Sequence, residues 1–186
     1  MKKIALFASG SGSNVENIIN YFENKSISNQ YLILVNNQSA KVIEKAEKRN
    51  IPVVLFDRNM LNEGVVSQKL EQFQPDLIVL AGFLWKFPID LVKKYPNKVI
   101  NIHPALLPKY GGKGMYGHFV HEAVVANKET ESGITIHYVN ENYDEGATIF
   151  QATTTLDPTF SPEQVGAAVL KLEHLHFPQV IEKLLF

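Results

Sequence analysis

Asn101-Ile102-His103-Pro104 sets an amide and an imidazole two residues apart at the end of an apolar run. In a strand, side chains two apart share a face, so Asn101 and His103 can address one reacting atom. A primary amide donates to a developing oxyanion, and an imidazole moves a proton. Asp144 adds a carboxylate within the polar stretch Asn140-Glu141-Asn142-Tyr143-Asp144-Glu145-Gly146. If the fold returns that loop to His103, the carboxylate favours the imidazolium and raises the histidine pKa. If it does not, Asp144 is a turn former, and Glu141 and Glu145 are its less specific rivals.

A second kind of chemistry lies in Ser9-Gly10-Ser11-Gly12-Ser13-Asn14, between a strand pattern and a helical one. Backbone N–H groups at a helix N-terminus, with glycines allowing close approach, form a phosphate cradle, and Ser13 or Asn14 can cap the helix. A dinucleotide fits poorly. The third glycine of G-x-G-x-x-G would fall at Val15, and the second strand runs into Asn36-Asn37-Gln38 without a carboxylate for a ribose. No Gly-Lys-Ser/Thr follows, so a single phosphate is the expected ligand. His118 and His121, three apart on a predicted helix, and His137 on a predicted strand could ligate a metal, but H-E-x-x-H is absent. No metal is expected.

The elements that must position these groups alternate. Strand patterns cover 3–8, 31–35, 52–56, 76–81, 98–103, 133–139 and 148–155. Helical periods cover 14–22, 40–49, 61–73, 89–94 and 118–126. Ser161-Pro162-Glu163-Gln164 has the N-cap, N1 proline and N3 glutamine of a helix start; that helix is expected to end near His176, with Pro178 opening or kinking a last segment. Such alternation predicts an α/β fold: a single Rossmann-like domain with a mostly parallel central sheet and helices on both faces. Leu77-Ile78-Val79-Leu80 reads as a strand buried on both sides.

The chain has 186 residues, 45% hydrophobic and 20% charged, which predicts one globular domain over 1–186 and excludes a disordered tail protein. A net charge of −1 gives no support to non-specific binding of nucleic acid or an anionic membrane. The apolar run Leu77–Trp85 holds nine residues, against about 20 for a membrane-spanning helix. Ile4–Ala8 stops at Ser9, too early for a signal-peptide core, so a cytoplasmic protein is expected. The absence of cysteine removes disulfides, thiolate metal sites and cysteine nucleophiles.

Together, in this order and spacing, the segments resemble the phosphoribosylglycinamide formyltransferases, folate-dependent enzymes of purine synthesis. Ser9–Asn14 is similar to the family's phosphate loop, Leu80-Ala81-Gly82-Phe83 to its folate-side strand end, and Asn101 through Tyr110 to its signature. Ser132-Gly133 through His137 and Asp144-Glu145-Gly146 are similar to the rest of its site. Two segments differ. Gly111–Val120 is longer and richer in glycine than the usual Pro-Gly-x-His stretch, and Trp85-Lys86 stands where Arg-Ile is common.

The resemblance implies formyl transfer from the cosubstrate 10-formyltetrahydrofolate to the amine of glycinamide ribonucleotide, by direct attack through a tetrahedral intermediate and without a metal. It implies that Gly12, Ser13 and Asn14 hold the substrate phosphate and Glu173 the ribose-phosphate. Leu84, Trp85, Lys86 and Phe87 would line the folate pocket, with Asn101 and backbone groups from Val139 and Asn140 to Asp144 completing it. Asn101 and a protonated His103 would stabilise the oxyanion, and Asp144 would keep His103 charged and relay the proton. Small-molecule partners and a monomer or homodimer are expected. A sugar-nucleotide formyltransferase and a non-catalytic mononucleotide-binding module are the rival readings. In the module, Asn101, His103 and Asp144 would not converge. The methionyl-tRNA and formyltetrahydrofolate-hydrolysing relatives carry further domains, so neither is expected of 186 residues opening on the first strand.

Overall fold

The apolar run that follows Lys2 becomes strand β1 (Lys2–Ala8), and its centre, Ile4 to Phe7, is wholly buried. A computed structural model describes all 186 residues, which form two compact units: Met1–Trp85 with Leu185–Phe186, and Lys86–Leu184.

In the first unit β1 pairs in parallel with β2 (Asn29–Val35) and β4 (Leu77–Leu80), and β2 pairs in parallel with β3 (Val53–Leu55), giving the order β3-β2-β1-β4. Parallel pairing requires crossovers. The connecting helices are α1 (Ser13–Asn24), α2 (Val42–Glu47), α3 (Arg58–Asn62) and α4 (Val65–Phe73). Helix α1 buries Val15, Ile18, Ile19 and Phe22, the stripe that its 3.6-residue period predicts. Two local expectations change. The helical pattern over 61–73 is broken at Gly64, whose φ of 82° ends one helix and precedes the next. Helix α1 is entered through Gly12, with no side-chain cap from Ser13 or Asn14.

The second unit holds α5 (Ile89–Lys94), β5 (Val99–His103), α6 (His118–Ala126), β6 (Glu131–Tyr138), β7 (Thr148–Thr155) and α7 (Pro162–Leu185). Here the pairing turns antiparallel, β5 with β6 and β6 with β7. Helix α7 starts on the expected capping box: Ser161 N–H donates to Gln164 Oε1 at 2.8 Å and Gln164 N–H to Ser161 Oγ at 3.4 Å. It does not stop near His176. It runs through Pro178 to Leu185, because Phe177, Val180 and Ile181 are buried on either side of the proline and their packing outweighs one missing N–H donor. Both units are α/β, and no helix is long and apolar enough to cross a membrane.

Phe7, wholly buried, meets Phe56 and Phe83 edge-on with ring centroids 6.0 and 5.4 Å away. Phe7→Ala is expected to cost about 3–5 kcal/mol, measured by urea unfolding; a midpoint equal to that of the unaltered chain would contradict this packing.

Candidate active site

Antiparallel pairing of β5 with β6 sets Asn101 opposite His137 and His103 opposite Thr135. Directly opposed residues share a face, so four polar side chains converge where β5 ends. Asn101 Nδ2 lies 3.2 Å from His137 Nε2, and His137 Nδ1 lies 2.9 Å from the Tyr138 carbonyl. A carbonyl only accepts, so Nδ1 carries the proton and Nε2 receives the Asn101 N–H. One N–H of Asn101 is thereby held, and its amide nitrogen has a second to give.

Asp144 reaches this cluster through a tight return of the chain. Its own φ is 54°, and Gly146 packs so closely beneath the Tyr138 carbonyl that a Cβ there would collide with it. The Gly112 N–H donates to Asp144 Oδ2 at 3.0 Å. The carboxylate then stands 3.5 Å from His103 Nδ1 and 3.6 Å from His137 Nε2. Both separations are longer than an N–H···O hydrogen bond, and each becomes an ion pair only when its ring is protonated. The other nitrogen of His103, Nε2, lies 2.7 Å from the Tyr110 carbonyl. His103 and His137 are 3% and 2% exposed, so ionisation here is decided by desolvation against pairing.

For His103 desolvation wins. Burial pushes its pKa below the ordinary 6.5, outweighing the Asp144 charge and the Tyr110 carbonyl, which both pull upward. This corrects the expectation of a raised pKa and a protonated ring: Asp144 acts in the expected direction, yet the ring is neutral at pH 7. Burial would raise the Asp144 carboxyl, but the His137 ring, the charge His103 can carry and the Gly112 amide bring it below the usual carboxylate value.

In the first unit, the Ser9–Asn14 loop has Gly12 at φ 67°, where a Cβ would strike Val42, and the Val42 N–H donates to the Gly10 carbonyl at 3.2 Å. The Leu84 N–H donates to Ser9 Oγ at 3.0 Å, joining the strand end after β4 to the same loop, and Asn14 is buried. Trp85 closes an aromatic group with Phe56 and Phe83, and the Arg58 guanidinium lies 4.3 Å above its ring. Leu84 is half exposed.

In the second unit Phe87 is buried, and Lys86 Nζ lies 5.4 Å over the Tyr143 ring. The Val139 N–H donates to Val99, and Asn140 Oδ1 receives the Asn142 N–H. Glu173 lies half-buried on α7, while Glu141 and Glu145 are exposed. His118 pairs with Glu122 at 2.8 Å and not with His121, and no cluster of three metal-ligating side chains forms.

The contact of His137 with Asn101 is what the sequence did not reveal. His137 figured there as a metal ligand and as the end of a segment similar to the family's site, with no role of its own. Alternation along β6 places it on the face of Thr135, but its partner Asn101 is set by strand pairing, which periodicity does not encode.

Against known proteins, the formyl transferase family model matches residues 2–181. The chain is 36% identical to the phosphoribosylglycinamide formyltransferase of Bacillus subtilis (strain 168), covering 100% of this chain and 95% of that one. It is 36% identical to the chloroplastic phosphoribosylglycinamide formyltransferase of Arabidopsis thaliana, over 97% of this chain but only 64% of the relative's length. The crystal structure of phosphoribosylglycinamide formyltransferase from Bacillus halodurans superposes with a TM-score of 0.90 at 32% identity, covering 99% of this chain and 95% of that one. That likeness is in keeping with a Rossmann-like α/β fold with a mostly parallel sheet.

His103 is expected to titrate below 6.5, and Asp144→Asn to lower it further, because the lost carboxylate is what favours the imidazolium. NMR titration of the ring protons checks both directions; an unchanged midpoint in the variant would contradict the pairing.

Proposed function

The chain belongs to the formyl transferase family, and on that premise we propose that residues 1–186 act as one formyltransferase domain. It transfers a formyl group from 10-formyltetrahydrofolate to the amine of glycinamide ribonucleotide, a step of purine biosynthesis. The carrying observation is the Asp144 carboxylate held 3.5 Å from His103 and 3.6 Å from His137, with His137 holding Asn101. A non-catalytic nucleotide-binding module has no use for a buried carboxylate between two imidazoles.

Gly12, Ser13 and Asn14 take the substrate phosphate on the backbone N–H groups at the start of α1, where the helix dipole favours an anion. Glu173 contacts the ribose-phosphate. Leu84, Trp85, Lys86, Phe87, Asn101, Val139 and Asn140 hold the formyl-folate; the half-exposed Leu84 offers apolar surface to the rings of that ligand. When bound, that cosubstrate supplies the electrophilic formyl carbon. The chemistry requires small-molecule partners and no metal, and we assign it to the cytoplasm and to a monomer or homodimer.

As the amine adds to the formyl carbon, Asn101 donates its second amide N–H to the oxygen on which charge grows. His103 is neutral, with Nε2 occupied by Tyr110, so Nδ1 offers the lone pair that takes the proton from the attacking nitrogen. The imidazolium so formed lies beside Asp144, whose charge offsets the desolvation that kept the ring neutral. His103 then returns the proton to the departing nitrogen. The carboxylate is in place before the charge arises, so little reorganisation accompanies the step.

Purified protein given 10-formyltetrahydrofolate is expected to formylate glycinamide ribonucleotide and to leave amino-sugar nucleotides unmodified; the reverse preference would favour the sugar-nucleotide reading. Asn101→Ala is expected to lower kcat by about 100–1,000-fold, the range for loss of an oxyanion donor. Turnover within a few-fold of the unaltered chain would remove Asn101 from the transition state.

A further inference from the structure

We propose that Tyr110, anchored by Glu129, is a positioning residue that fixes which nitrogen of His103 is free for proton transfer. Its catalytic consequence rests on the formyl-transfer reading above; its structural content does not. The Tyr110 carbonyl lies 2.7 Å from His103 Nε2. Since the carbonyl has no proton to give, Nε2 must carry the hydrogen, and the neutral ring keeps its lone pair on Nδ1, the nitrogen facing Asp144. A shift of that carbonyl would release the ring to the other tautomer.

The carbonyl is held by something other than backbone preference. Tyr110 has φ 56°, a left-handed conformation that a side-chain-bearing residue adopts only when its surroundings impose it. The turn before it is tied down: the Leu107 N–H donates to Thr135 Oγ1 at 3.0 Å, Thr135 Oγ1 donates to the Ala105 carbonyl at 2.7 Å, and Gln151 Nε2 donates to the Leu107 carbonyl at 3.0 Å. The Lys109 N–H continues the turn by donating to the Leu106 carbonyl at 3.1 Å. Beyond them, Tyr110 Oη donates to Glu129 Oε1 at 2.8 Å, and Lys109 Nζ donates to the same carboxylate at 3.1 Å. The Glu129 backbone is fixed in turn by its N–H to the Val124 carbonyl at 3.2 Å.

The ionisation states suit this clamp. The Tyr110 hydroxyl first, and Lys109 with it, keep the Glu129 carboxyl below its ordinary value, so it remains an acceptor. Burial and the Glu129 charge push the Tyr110 phenol up, so it remains a donor. The charged or titratable groups bearing on His103 are Asp144, His137 and His121, and those bearing on Tyr110 are Glu129 and Lys109, with the Asn127 amide beside them. The Lys109 N–H to the Leu106 carbonyl at 3.1 Å and the Gly112 N–H to Asp144 at 3.0 Å hold the backbone on either side, and the Tyr110–Glu129 link anchors the Tyr110 side chain itself.

Long-range proton–nitrogen NMR of the full chain reads the tautomer of each imidazole. The unaltered protein is expected to show His103 as the Nε2–H form. Tyr110→Phe, which drops the hydroxyl, and Glu129→Leu, which drops the acceptor, are each expected to mix in the Nδ1–H form and to lower the His103 midpoint. Glu129→Gln, whose amide oxygen still accepts, keeps the single-tautomer signature. In the formyl-transfer assay Tyr110→Phe is expected to lower kcat by about 10- to 100-fold with both KM values within twofold, while thermal melting confirms that each variant folds. Retention of the pure Nε2–H form in both Tyr110→Phe and Glu129→Leu would overturn the proposal. Failure of the unaltered chain to transfer a formyl group would instead count against the function reading and leave the tautomer result standing.

Discussion

A carboxylate taken out of water must be compensated, and the second unit is arranged around that requirement at Asp144. Its side chain is 11% exposed and lies between two rings that are nearly inaccessible. An isolated buried charge is costly, whereas a charge that accepts an amide hydrogen bond and faces groups able to become cationic is tolerated. The Gly112 amide supplies the hydrogen bond and the His103 ring supplies the cationic potential. The antiparallel β5–β6 register, the left-handed turn at Asp144 and the close approach at Gly146 bring these groups within reach.

The same burial gives His103 its usefulness. A ring that stayed charged could not accept a proton, and a neutral ring with no carboxylate nearby could not keep one in a medium of low polarity. Desolvation sets the resting state and Asp144 sets the cost of leaving it. His137 has a quieter part. Its Nδ1–H to the Tyr138 carbonyl leaves Nε2 as an acceptor, which orients the Asn101 amide before any ligand arrives. The first unit supplies a different resource: backbone N–H groups at the start of α1, shaped by Gly12 in a conformation that a side chain would obstruct at Val42.

Much of this was legible in the residue pattern. Helices α5 and α6 and strand β7 have the bounds that period and alternation predict, and the shared face of Asn101 and His103 follows from strand geometry alone. What the pattern hid is tertiary. Leu61–Phe73 keeps a helical period across Gly64, so nothing local marks the break at a glycine with φ 82°. Pro178 reads as a stop, yet core packing around Phe177 and Ile181 carries α7 through it. The role of His137 depends on which strand lies beside β6. The direction of the His103 shift depends on how deeply the ring is buried, a quantity that its neighbours in sequence do not carry.

The central claim is that Asp144 assists transfer by acting on the charge of His103 and not as an independent group. A double-mutant cycle on kcat/KM, with Asp144→Asn, His103→Gln and the two combined, tests it most directly. If the claim holds, removing the carboxylate costs little once the imidazole is gone, and the double variant is close to the slower single one. Losses that multiply across the two sites would contradict it.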